Sequence, residues 1–184
     1  FLCVPMEESR ANFLELPVMT VQNRDPHSTN YTITVDATNR ISTGVSAEDR
    51  ANTSHVLADP NSTPASLIRP GHMMPLRAHP GGVLARAGHT EATVDLLKMA
   101  GMNPVGVIGE IVAEDGSMMR LPGLVELGAE FGLPVITIEM MQEYLSANPL
   151  PAVDSPANRI RFEAEALVPT THGEFRIRGY YDIK

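Results

Sequence analysis

Thr90-Glu91-Ala92-Thr93-Val94-Asp95-Leu96-Leu97-Lys98-Met99-Ala100-Gly101, followed by Val105-Gly106-Val107-Ile108-Gly109-Glu110-Ile111-Val112, decides the class of fold. The first run predicts a helix capped by Thr90, continuing through Met99 and stopped by Gly101. The second is an apolar, β-branched run that reads as a buried strand. Asp115-Gly116 is then a turn, and Met118–Arg120 pairs back as a hairpin. Further on, Gly123–Phe131 reads as helix, Pro134–Ile138 as strand and Glu139–Leu145 as a final helix. Toward the N-terminus, Phe1–Val4 reads as the second half of a buried strand and Glu7–Leu14 as a short amphipathic helix. Pro17–Asn30 reads as loop, and Tyr31–Val35 alternates in polarity as a strand does. Ser46 with Asp49 three residues later resembles a capping box, opening a helix to about Leu57 that Asp59-Pro60 ends. Four prolines and three glycines in Asn61–Gly82 predict loop with short strands. Strands and helices mixed in this way predict an α+β fold, an α/β layered sandwich with a mixed sheet and flanking helices.

The chain has 184 residues, and its 14 Lys and Arg against 22 Asp and Glu leave a formal charge of −8. That balance argues against nucleic acid, whose binders need a basic face. No apolar run is long enough to span a membrane. One cysteine, Cys3, can form neither an internal disulfide nor a thiolate zinc site, which points to a reducing, cytoplasmic setting. Residues 151–184 hold five acids and five bases, so the whole −8 belongs to residues 1–150. With Leu150-Pro151 and Asp154-Ser155-Pro156 reading as linker, a domain 1–150 and a second segment 151–184 are expected. Both ends look cut: the chain starts within a strand, and Phe175, Ile177 and Gly179-Tyr180-Tyr181 read as a strand running into a turn. A piece of a longer protein is expected.

Four places concentrate residues that a core does not need. Ser42-Thr43-Gly44-Val45-Ser46 leads into a helix start that suits an anion, or is a plain cap. Arg69-Pro70-Gly71-His72 offers an imidazole that is either catalytic or structural. In Arg86-Ala87-Gly88-His89-Thr90-Glu91-Ala92, Gly88 permits close backbone approach. A guanidinium, a hydroxyl and free amides there could hold a phosphate monoester. The alternative is capping by Thr90 with Glu91 favoured by the helix dipole. Glu110, inside an apolar run, must face solvent, meet a cation or line a polar pocket, where it could move protons. The paired methionines 73–74, 118–119 and 140–141 read as core filler.

Together with Thr34-Val35-Asp36-Ala37, Pro75-Leu76-Arg77-Ala78, Gly81-Gly82-Val83-Leu84 and Gly106–Ile111, these stretches resemble the 3,4-dihydroxy-2-butanone 4-phosphate synthase family in order and spacing. The tail, Arg161–Ala166 with Pro169–Arg176 and Gly179–Asp182, resembles the opening of GTP cyclohydrolase II, so the resemblance implies a bifunctional parent. It implies a lyase of riboflavin biosynthesis that converts D-ribulose 5-phosphate to the four-carbon phosphate and formate with Mg²⁺ or Mn²⁺, as a homodimer. By the same resemblance, Arg86, Ala87, Gly88, His89 and Thr90 take the substrate phosphate and His89 the metal. Glu110 contacts substrate, His72 and Glu110 are catalytic, and Thr43 lies in an active-site loop. Gly109 stands where the family usually has Cys. The family's acidic N-terminal loop, with its metal-binding glutamate, is expected upstream of Phe1. The resemblance therefore predicts an active parent and an inactive or nearly inactive 184-residue chain. The rival reading is a catalytically dead dimerisation or sugar-phosphate-binding module.

Overall fold

In a computed structural model, which describes residues 2–150, 160–171 and 173–182, the chain divides into two units, Phe1–Pro149 and Leu150–Lys184. The expected linker at 151–156, Phe1, His172 and the last two residues lie outside the described residues.

The first unit is built on β1 (Leu2–Glu7), β2 (Val35–Ala37), β3 (Leu67–Ala78) and β4 (Ile108–Gly109), in the order β2-β3-β1-β4. β1 runs parallel to β3, while β2 and β4 are antiparallel to their neighbours, so the sheet is mixed as expected. Helices α1 (Glu8–Phe13), α2 (Ala47–Ala58), α3 (Gly82–Ala85), α4 (His89–Met99), α5 (Leu121–Phe131) and α6 (Ile138–Ala147) accompany it. The core gathers Val4 and Met6 of β1, Ala11, Leu14 and Leu16 around α1, Val35, Leu57, Leu67 and Met73. Each of the larger side chains contributes about 1.5–3 kcal/mol by leaving water.

The longest strand is one the sequence hides. β3 covers twelve residues inside the stretch expected to be mostly loop, because its two prolines sit where ladder bonds are not required. Asp36 pairs with Ile68 and Val35 with Met73, so Arg69–His72 form a bulge opposite a single peptide of β2. Pro70 falls in that bulge. Pro75 faces the irregular 30–32 segment, where Thr32 donates its N–H and hydroxyl to the Pro75 carbonyl. Gly71 is required in the bulge: a Cβ there would collide with the backbone of Val35 and Asp36.

Other expectations shift. Regular pairing of the second strand begins at Val35, and Tyr31 and Thr32 make only isolated bridges. The 105–112 run is not a buried strand: only Ile108 and Gly109 pair with β1 as a strand at the sheet edge, Val105 adds an isolated bridge to Met6, and Val107, Ile111 and Val112 are 47%, 45% and 57% exposed. Pro134–Ile138 forms no strand, since a strand needs a neighbour and none among the described residues pairs with it; Thr137 instead caps α6 by accepting from the Met140 N–H. α4 starts two residues earlier than expected, with Gly88 rather than Thr90 at the cap position and Thr90 buried in the first turn. Gly101, at φ 67°, does stop the helix, and the Asp115-Gly116 turn and its hairpin form, with Met119 donating to the Ile111 carbonyl. Among the described residues no helix is long and apolar enough to cross a membrane.

The second unit is a hairpin of β5 (Ile160–Thr170) and β6 (Gly173–Asp182). β6 continues through Tyr180 and Tyr181 instead of turning there. Phe162 meets Tyr180 edge to face at 5.8 Å, and Arg178 donates to Glu165 at 2.7 Å.

Candidate active site

The bulge in β3 turns His72 toward β2. Its backbone N–H donates to Asp36 Oδ1 at 2.9 Å, and its ring Nδ1 lies 2.7 Å from Asp36 Oδ2. Asp36 is 5% exposed, whereas the His72 side chain is half exposed. A buried carboxylate accepts, so Nδ1 carries the proton and Nε2 presents its lone pair outward. The geometry makes His72 an oriented imidazole able to take or return a proton. Gly44 covers this pair: at φ +85° it lies so close that a Cβ would stand 2.6 Å from His72 Nδ1.

The loop carrying Thr43 and Gly44 is held by Asp49. Asp49 Oδ1 accepts from the Ser42 N–H at 3.0 Å, and Oδ2 accepts from the Ser42 hydroxyl at 2.8 Å and the Gly44 N–H at 2.9 Å. These donors hold the Asp49 carboxyl down at about 2. Ser46 caps α2 as expected by accepting from the Asp49 N–H, but the acid does not close a capping box: its carboxylate serves the loop. Thr43 itself is exposed.

A second cluster surrounds the start of α4. Glu91 is 1% exposed; it accepts from Arg86 Nη1 at 2.6 Å and from the His79 N–H at 2.8 Å. Arg86 Nη2 also donates to the His27 carbonyl and the Thr29 hydroxyl. The guanidinium is therefore engaged within the protein, and Gly88 is small because a Cβ would stand 2.6 Å from Glu91 Oε2. A cavity of about 250 Å³ opens beside this network, lined by Ser28, Asn30, Arg77 and His79 as well as by Arg86 and Glu91. Ala87 and His89 are exposed; the His89 carbonyl accepts from the Thr93 hydroxyl, and the His89 side chain makes no hydrogen bond or ion pair among the described residues.

Glu110 is exposed just beyond β4 and makes no hydrogen bond or ion pair either. Its charge reaches the Cys3 thiol and the Tyr31 hydroxyl, both pushed up chiefly by burial and further by Glu110. Asp25 raises Tyr31 as well and accepts from the Thr29 N–H, and the same segment receives Arg86 through the His27 carbonyl and the Thr29 hydroxyl. Gly106 packs against Thr93 and Leu97, bringing the strand that leads to Glu110 against the helix that His89 begins.

The structure thus joins His72 to the Thr43 loop, and Arg86 to Gly88 and the start of α4. The sequence reading gave no role to three acids that organise these clusters. Asp36 appeared only within the stretch Thr34–Ala37 that carries the family resemblance. Asp49 read as a capping residue, and Glu91 as a partner of the helix dipole. Their partners come from 36, 5 and 5 residues away or through a bulge, where spacing carries little signal.

Residues 1–144 match the family described as 3,4-dihydroxy-2-butanone 4-phosphate synthase. The chain belongs to this family. Among curated relatives it is 47% identical over 180 residues to riboflavin biosynthesis protein RibBA of Salinispora arenicola, covering 98% of this chain and 41% of that protein. The chain thus spans about two fifths of the length of such relatives. Among solved structures, the synthase of Candida albicans is 48% identical with a TM-score of 0.73, over 78% of this chain and 71% of that one. A synthase in complex with two magnesium ions is 41% identical with a TM-score of 0.76, over 82% and 76%. The two-domain synthase RibBX of A. baumannii is 34% identical with a TM-score of 0.77, over 99% of this chain and 51% of that one. The α+β architecture with a mixed sheet is the family's fold, shared by these synthases.

Proposed function

We propose that residues 1–150 form the lyase domain of a riboflavin-biosynthesis enzyme that converts D-ribulose 5-phosphate to L-3,4-dihydroxy-2-butanone 4-phosphate and formate. Residues 151–184 are then the linker and opening of a GTP cyclohydrolase II domain in a bifunctional cytoplasmic parent. The observation that carries the reading is the continuous family match over residues 1–144, which brings the oriented His72 with it. The reaction isomerises the carbon skeleton and expels one carbon, so it needs proton transfers and charge stabilisation but no oxidant. His72, with Nδ1 held by Asp36, offers Nε2 to remove a proton beside the substrate carbonyl. Glu110 is the second proton-moving group, its exposed side chain unencumbered by partners among the described residues. The first amides of α4 receive the phosphate beside Arg86, whose guanidinium Glu91 holds in place at the cavity while Thr90 packs beneath them. Thr43 approaches substrate from the Asp49-held loop.

Among the described residues no three His, Cys, Asp or Glu side chains group as a metal site. His89 fits a lesser share: its ring is exposed and unpartnered, and hard divalent ions accept water and substrate oxygens for most of their shell. His89 is the residue that would hold Mg²⁺ or Mn²⁺, which when bound supplies positive charge to oxygens that become negative during the reaction. The exposed apolar edge at Val107, Ile111 and Val112 supports a homodimer.

The test is turnover by the natural full-length protein with D-ribulose 5-phosphate and Mg²⁺, following formate and the four-carbon phosphate together. Equal amounts of the two, abolished by chelation, support the reading. A rise in melting temperature with substrate but no product would instead favour a binding module.

A further inference from the structure

We propose that Asp49 is a positioning residue for proton transfer at His72, acting through the Gly44 peptide; this rests on the lyase reading above. The chain of contacts is short and every link is packed. Asp49 is 4% exposed and directs Oδ2 at the Gly44 N–H, 2.9 Å away. Gly44, itself buried, lies against the Asp36–His72 bond, so close that a Cβ on it would stand 2.6 Å from His72 Nδ1. His72 is half exposed, so its orientation depends on that one bond and on whatever keeps water from competing for Asp36 Oδ2. The Ser42 N–H holds Oδ1, and the Ser42 hydroxyl shares Oδ2 with the Gly44 N–H, so both oxygens of the carboxylate are fixed against the loop. An amide at this position has one acceptor oxygen and two N–H donors, so it cannot accept from Ser42 on both oxygens and from Gly44 as well. The one amide oxygen can replace Oδ2 and the amide NH2 then meets the Ser42 N–H, or the reverse, so Asp49→Asn loosens the Ser42–Gly44 segment at one end or the other while Ser46 still caps α2.

Two measurements on the natural full-length protein separate this role from a merely structural one. The first is nitrogen NMR of labelled histidine, which reads the His72 tautomer without any turnover. Asp49→Asn should convert a ring held with its proton on Nδ1 into a mixture of tautomers with faster Nδ1–H exchange. An unchanged His72 signal overturns the proposal. The second is kinetic. Asp49→Asn should lower kcat roughly 10- to 100-fold, by more than it raises KM. In a His72→Ala background it should change the residual rate by less than about twofold, because the step it serves is already lost. An equal loss in both backgrounds, or an effect on KM alone, overturns it. If Asp49→Asn does not fold, Ser42→Ala, which removes the hydroxyl bond alone, should move both readouts in the same direction and by less; no movement overturns the proposal. Failure of the wild-type protein to turn over ribulose 5-phosphate would sink the lyase reading and leave the tautomer result standing.

Discussion

Above pH 4 the Asp49 carboxylate is ionised in both folded and unfolded chains, and its three hydrogen-bond donors act at full strength. Its folded value, about 2, lies below the ordinary 3.8, so between these limits the unfolded chain binds the proton first. The stability it contributes is present above about pH 4 and is lost as pH falls through 2. The melting temperature of Asp49→Asn should thus lie below wild type by a constant margin above pH 4 and approach it between pH 4 and 2, read by thermal melts across that range. At Asp36, replacement by Asn keeps the size but offers Nδ1 of His72 a donor or a weaker acceptor. Turnover should drop roughly 10²- to 10⁴-fold with little change in melting temperature. Glu91 differs: it is fully buried against Arg86 and the His79 N–H, and Glu91→Ala leaves that guanidinium without its carboxylate. A loss of about 3 kcal/mol in urea unfolding is expected. Histidines, arginines and an isolated acid drew notice in the sequence because each is costly or unusual where it stands. Asp36, Asp49 and Glu91 did not, because a carboxylate near a helix start or strand end has an ordinary explanation until its partners are seen.

Among the elements, β3 carries the most weight and was the least legible. Its prolines and glycine look like loop, yet the bulge they form is what turns His72 onto Asp36. Gly71→Ala should lower stability by about 3 kcal/mol or more, or prevent soluble expression, since the added methyl meets backbone that cannot yield. Helices α1, α2 and α4 were readable from local signals: the amphipathic spacing of α1, a cap at Ser46 for α2 and a stop at Gly101 for α4. The strands were less so, because pairing is set by distant partners. The 105–112 and 134–138 runs are apolar enough for strands, but the first lies at a sheet edge and the second pairs with nothing among the described residues. Hydrophobicity reports that a segment is sticky, not which neighbour covers it.

At the scale of the molecule, charge and family resemblance were legible together. The acidic balance sits in the first 150 residues, and the stretches that carry the synthase resemblance lie in the same span, which the family match over residues 1–144 bears out. Fold class followed from the alternation of elements, although the mixed order β2-β3-β1-β4 could not be read from it. The measurement that tests the account most directly is the appearance of formate from D-ribulose 5-phosphate and Mg²⁺ in the natural full-length protein, compared with its His72→Gln variant. The account predicts one formate for each four-carbon phosphate formed by the wild type and a loss of at least about a hundredfold in the variant. No formate from the wild type, or equal rates in the two proteins, would contradict it.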